Sequence, residues 1–551
     1  MTNRVLVIGL DGATLDLIGP WVNSGFLPHI SQLMKNGSYG KLKSVLPVLS
    51  SAAWASFMTG VNPGKHSLID FVKRNKSEYK FDVVNRTHIK RQSLWKVLSD
   101  QGKKSIIINV PMTYPPEEIN GIIITGLGTP NNKNFTYPKE LSGKLIKQGY
   151  KVNKDFFFTP GQEQKLIDEI YSTTNSLTEI AEELVRLDWD LFVLVYRDTD
   201  EMGHFFWKNM DKSHPLHRNI QNNNFQNTIK EYYQFIDTQI GKILQNIDKN
   251  TTIVLMSDHG QGPLYKDVFL NEWLIQEGFL KTMNSRNSTI STYFKKANIT
   301  RENISKTLRK IHLSKVETYI KDILGDKVKL LPKNLQDSLF DSIDWAKTTA
   351  YSFGYHGQIY VNLEGREPKG IVKKEEYQRL IIEIKNKLED LKDPEDDLPI
   401  VDKIFFKDEY FYGENLETTP DIIIIMRDFS YITRQGYELN QSGNIFELPA
   451  NNESGSHRQD GMVIISGNIA KANSIIIDAN IMDIFPTILY ILDCNISQDI
   501  DGKILKQALI TNKIESFDIP NQQPIIDEVE LLSEEENEEL IQRLKNLGYL
   551  E

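Results

Sequence analysis

A single cysteine, Cys494, stands in 551 residues, which leaves no material for a disulfide framework or a Cys-rich zinc module and fits a reducing compartment. No apolar run approaches the roughly 20 residues needed to span a bilayer. The N-terminal MTNRVLVIGLDG enters a strand pattern at once, without the layered charge and apolarity of a signal peptide. A cytoplasmic protein without membrane contact is the expectation. Excess positive charge is missing as well. With 64 Lys and Arg against 74 Asp and Glu, the net charge is −10, which argues against a nucleic-acid polymer as partner. What remains, 40% hydrophobic and 25% charged residues, is ordinary for a soluble globular chain.

Short apolar runs recur between amphipathic stretches: VLVIGL, SIIINV, LFVLVY, TTIVLM, DIIIIM and GMVIISG. Continuous rather than alternating apolarity predicts strands buried on both faces of a mostly parallel sheet. Helical patterns lie between them, as in LPHISQLMKNG, closing on Gly37, and SLWKVLSDQGKK. The alternation predicts a layered α/β fold. A Lys- and Asn-rich stretch with helical spacing reads as an inserted cap over 269–345. It divides the core into 1–268 and 346–510, and a tail follows over 511–551. The tail carries a helix opened by a capping box of Ser533 and Glu536 and closed near Gly548. Its stripe of Leu540, Ile541, Leu544 and Leu547 suits docking on the body or on a second subunit, so a homo-oligomer stays open.

Several strand ends carry groups that can bind a cation. Asp11 follows VLVIGL directly, at the sheet edge where open α/β folds bind ligands. Asp200 and His204, four apart after LFVLVY, share one face of a helix; Asp198 is a competing carboxylate two residues upstream. TTIVLMSDHG ends in Asp258 and His259, which reach one ion only if the chain leaves strand geometry there. His457 lies in the polar segment ESGSHRQDG, read as a loop. Three carboxylates and three imidazoles suffice for two divalent ions of the zinc or manganese type. His214 and His217, in KSHPLHRN, read as a solvated loop, while His356 either lines the site or turns the chain. Ser50 and Ser51, in PVLSSAAWASFMTG, stand where a strand runs into a helix, as a cap or as chemistry.

In order along the chain to about residue 462, VIGLDG, PVLSSAAWASFMTGVNPGKH, DTDEMGHFFW, SDHGQG and GSHRQDGM resemble motifs of the alkaline phosphatase superfamily. They are closest to its type I phosphodiesterase/nucleotide pyrophosphatase branch and the related phosphohydrolase/phosphomutase proteins. The resemblance implies an alkaline-phosphatase-like α/β/α core and a phosphoric ester hydrolase acting on a small-molecule phosphate ester. It implies two divalent ions, Zn²⁺ first and Mn²⁺ second. One would rest on Asp200, His204 and His457. The other would rest on Asp11, Asp258 and His259, completed by Ser50 as the nucleophile that forms a phosphoserine intermediate. The amide of Ser51 would serve a phosphoryl oxygen, but the asparagine that family members carry three residues after the nucleophile is Ala53 here, so Asn109, Lys65 or Arg458 would have to replace that donor; His66 is read as structural. The alternatives are a phosphomutase with the same intermediate and a binding protein that kept the fold without turnover. A sulfatase is disfavoured, because Ser50 is followed by SAAW rather than by the C/S-x-P-x-R context of that branch.

Overall fold

The computed structural model describes residues 3–75, 78–79, 81–130, 134–220, 223–283, 342–433, 443–450, 452–510 and 533–546. Most of the segment read as a cap, 284–341, lies outside them, as do Leu547 and Gly548 of the tail.

Nine strands form the central sheet. From edge to edge they are Ser474–Asn480, Gly37–Lys43, Asp460–Ser466, Thr252–Met256, Val5–Leu10, Leu191–Tyr196, Ser105–Ile108, Gly121–Ile124 and Thr136–Tyr137. Asp460–Ser466 and Thr136–Tyr137 run against the other seven. Every residue of Val5–Leu10 and of Leu191–Tyr196 is buried. Side chains alternate across the sheet, so Val5 and Val7 join one core with Trp54, while Leu6, Ile8 and Leu10 join the other with Tyr232. Burying each such side chain is worth about 1.5–3 kcal/mol, and two covered faces are what a continuous apolar run requires.

Register fixes the functional edge. Val5 pairs with Leu191 and Thr252, and Gly9 with Val195 and Met256, all in parallel. The three chains therefore leave the sheet side by side, as Asp11, as Arg197 at the head of the helix Asp198–Met210, and as Ser257-Asp258-His259.

Two apolar runs depart from the parallel expectation. GMVIISG lies in the central sheet but antiparallel to both neighbours. DIIIIM becomes Ile422–Met426 in a second sheet of seven strands, where Gln358–Val361, Val401–Phe406 and Tyr431–Thr433 all pair with it antiparallel. Continuous apolarity reports burial on two faces, and both arrangements supply it. Gly37 does not close the helix Pro28–Lys35 but begins a strand, where a Cβ would lie 2.2 Å from the Ile465 carbonyl oxygen.

The tail helix Glu534–Asn546 has its capping box, with Ser533 N donating to Glu536 Oε2 at 2.9 Å and Glu536 N to Ser533 Oγ at 3.3 Å. Leu540 and Leu544 are buried in the core on the Trp54 side. Arg543 donates to the Thr129 carbonyl at 3.0 Å. Among the described residues no helix is long and apolar enough to cross a membrane.

Candidate active site

Ser50 opens the helix Ser50–Thr59, whose N-cap is Leu49 with no side-chain cap bond. The Ser50 hydroxyl is turned instead toward the sheet edge, donating to Asp11 Oδ1 at 3.4 Å and lying 3.2 Å from His259 Nε2. One helical turn on, the Trp54 indole N–H donates to Asp11 Oδ2 at 3.3 Å. The i,i+4 spacing thus holds both oxygens of Asp11 from one helix face. Gly12, at φ +69°, is needed beside it, because a Cβ there would stand 2.8 Å from Asp200 Oδ1. Its amide donates to Asp258 Oδ1 at 3.3 Å.

Asp200 and His204 lie on one face of Asp198–Met210, with Oδ2 3.1 Å from Nε2. Asp198 turns the other way, to Lys154 Nζ at 2.6 Å. His457 sits in a strand, Gly455–Arg458, not in a loop. The strand pairs antiparallel with Gly260–Pro263, Gln261 opposite His457. Polar, glycine-rich strands carry no apolar alternation, so the sequence pattern hides them. This long-range pairing brings His457 Nε2 to 3.1 Å from His204 Nε2 and 3.5 Å from Asp200 Oδ1. Gln261 Nε2 donates to Asp200 Oδ1 at 3.0 Å.

Two groups of side chains converge, Asp11 with Asp258 and His259, and Asp200 with His259 and His457. His204 adjoins the second. Each imidazole has Nδ1 against a backbone carbonyl: His204 at Gly455, 2.8 Å; His259 at Gly260, 3.0 Å; His457 at Val48, 2.7 Å. An Nδ1–H held this way sets the tautomer in which Nε2 is the ligand atom. Asp258 Oδ2 is buried with no hydrogen-bond partner, 3.4 Å from His259 Nε2. Burial, then Asp258 and Asp200, push Asp11 well above the usual carboxylate range. Burial also raises Asp258, against the pull of His259. Burial would raise Asp200 too, but His204 and His457 hold it below that range. For His204, burial disfavours the charge, yet Asp200 carries it up to about 9. Three buried carboxylates crowded together call for positive charge, and this donor set of oxygens and Nε2 atoms fits two divalent cations.

The other sequence candidates are engaged elsewhere. Lys65 pairs with Asp501 at 2.6 Å and donates to the Asp499 carbonyl. Asn109 donates to the Val195 carbonyl at 2.8 Å. Arg458 spends its guanidinium on the carbonyls of Phe429, His457 and Pro263. Ser51 Oγ is buried without a hydrogen-bond partner. His66 Nε2 lies 2.9 Å from Ser56 Oγ. His214 is not solvated. It is buried, its Nε2 2.6 Å from the Leu264 carbonyl, under a chain segment 50 residues away in sequence. His217 Nδ1 meets the Lys208 carbonyl at 2.7 Å. Sequence reasoning missed Trp54 and Gln261; the spacing of Trp54 from Ser50 was the one available signal.

The family described as "Type I phosphodiesterase / nucleotide pyrophosphatase" matches residues 5–457. None of the curated proteins searched matches the chain. Among solved structures, human ectonucleotide pyrophosphatase / phosphodiesterase 5 aligns at 12% identity with a TM-score of 0.50, covering 92% of this chain and 100% of its own. Phosphonoacetate hydrolase from Sinorhizobium meliloti, in complex with phosphonoformate, aligns at 10% identity with a TM-score of 0.51, covering 90% and 96%. At these identities the likeness establishes the fold.

Proposed function

Since the chain belongs to the type I phosphodiesterase/nucleotide pyrophosphatase family and is thereby a phosphoric ester hydrolase, we propose that it cleaves a small-molecule phosphate ester through Ser50 as nucleophile with two divalent ions. The observation that carries this reading is the convergence of Asp11, Asp258, His259, Asp200, His204 and His457 in two adjoining groups, with the Ser50 hydroxyl against Asp11 and His259 and all three Nδ1 atoms tied to carbonyls. Asp11, Asp258 and His259 would hold one ion together with Ser50, and Asp200, His204 and His457 the other. Bound there, zinc or manganese would neutralise charge at phosphorus and acidify the attacking oxygens.

The chain's own part is positioning. Ser50 is the first residue of a ten-residue helix, so its oxygen lies in the positive field of amides that lack intrahelical partners. Asp11 and His259 are within reach of its proton. The amide of Ser51, in the same first turn, is assigned the charge that develops on a non-bridging oxygen. Ser50 Oγ bonds to phosphorus as the ester's leaving oxygen departs. Water then takes the phosphoryl group and Ser50 regains its proton. Every residue of this helix is buried, which fixes the nucleophile before substrate arrives.

The test is a screen of phosphate monoesters, diesters and nucleotide sugars with Zn²⁺ and with Mn²⁺, using wild type and Ser50→Ala. We expect Ser50→Ala to keep its metal content and to lose on the order of 10³-fold or more in kcat. Full activity in Ser50→Ala, or wild-type protein inert on all three substrate classes, would overturn the reading. Oxygen-18 from solvent water should appear in the released phosphate; transfer to an organic acceptor instead would identify a mutase.

A further inference from the structure

His356 is a buried side chain beside this centre with no part in the reading above. It belongs to the hairpin 353–357 between the strands Ala350–Ser352 and Gln358–Val361 of the second sheet. Its backbone is left-handed, at φ 59°, a conformation unfavourable for a residue with a Cβ. The hairpin is tied into that shape. Gly357 N donates to Thr433 Oγ1 at 2.9 Å, Thr433 Oγ1 to the Gly354 carbonyl at 3.0 Å, and Gln358 Nε2 to the Tyr355 carbonyl at 2.9 Å. Tyr355 packs with Leu49, the residue before Ser50.

The outcome of this bracing is the place of one ring. The His356 imidazole stands 5.5 Å from that of His457, centroid to centroid, and 5.7 Å from Phe429. It is 4% exposed, and its Nδ1 is buried without a hydrogen-bond partner. A buried polar atom left without a partner is destabilising. Strain that the surroundings enforce tends to gather where ligands bind. Both costs fall on one residue next to His457, while Asn109, Lys65 and Arg458 are bonded to the protein itself.

We propose that His356 donates an imidazole N–H to a phosphoryl oxygen of the bound ester, a contact that rests on the Ser50 reading. A neutral imidazole has one N–H to give, and the braced hairpin presents it with little reorganisation. Its partner comes from outside the chain, which accounts for the orphaned nitrogen.

The experiment compares metal-loaded wild type, His356→Gly and His356→Asn. Gly suits the positive φ and removes the donor, whereas Asn tolerates it and keeps an amide N–H. His356→Leu serves as a second variant without a donor. Three quantities are read: metal content, orthophosphate affinity by calorimetry, and turnover of bis-p-nitrophenyl phosphate. Expected are two ions in all variants, orthophosphate binding about 10-fold weaker and kcat/KM about 10²-fold lower in His356→Gly, and recovery of most of both in His356→Asn. Equal orthophosphate affinity in His356→Gly and wild type would overturn the proposal. So would loss of an ion, which would make the ring a metal ligand. If wild type turns over no phosphate monoester, diester or nucleotide sugar while orthophosphate binding still weakens in His356→Gly, the ring contacts a phosphate oxygen and the Ser50 reading fails.

Discussion

Asp70 carries a pH signature of its own, set by burial and by Phe71, Gln358 and Val72. It is 4% exposed, and burial pushes its carboxyl up to about 7, only partly countered by the Phe71 amide. In the unfolded chain the group titrates near 4. Between those values the folded protein keeps a proton that the unfolded chain gives up. The contribution is therefore whole below about pH 4 and is lost as pH rises through 7, on the order of 4 kcal/mol across the window. Asp70→Asn should flatten this slope, raising denaturant stability at pH 8 while leaving it nearly unchanged at pH 4. Parallel wild-type and variant stabilities at both pH values would contradict it. Single residues were legible in sequence where their chemistry has a spacing. Asp200 and His204 stand four apart, and a helix puts them together. The partners that aim the imidazoles were not legible, because the carbonyls of Val48, Gly260 and Gly455 carry no mark in a sequence.

Elements were readable in kind more than in arrangement. Burial on both faces gave the strands away, yet direction did not follow from it, so Asp460–Ser466 runs antiparallel and Ile422–Met426 belongs to another sheet. The short strand Gly455–Arg458 stayed hidden because its residues are polar and carry no apolar alternation. The tail helix was visible from Ser533 and Glu536, whose reciprocal bonds are local. Where it docks is a tertiary matter, settled by Leu540, Leu544 and Arg543. Leu544→Ala should cost about 2–5 kcal/mol of docking, speeding hydrogen exchange over 534–546 while kcat on a phosphate ester stays within about twofold of wild type. Unchanged exchange there would place the anchor elsewhere.

At the scale of the whole molecule the active site is a shared debt of charge. Asp11, Asp258 and Asp200 are each buried to within 1% of complete cover, and bound cations would relieve their repulsion in the folded state alone. Stripping ions with EDTA should lower the Tm by about 3 °C or more, and Zn²⁺ or Mn²⁺ should restore it together with turnover. An identical Tm with and without chelator would mean that the folded protein holds no ion. The antiparallel strand Asp460–Ser466 sets one more condition. It lies between Gly37–Lys43 and Thr252–Met256, and the short strand leading into it, Gly455–Arg458, carries His457, more than 400 residues after Asp11. On the proposed reading, a chain leaving the ribosome carries Ser50 and five of the six ligand side chains while still lacking the last. By that reading, competence waits for the strand that closes the sheet's middle.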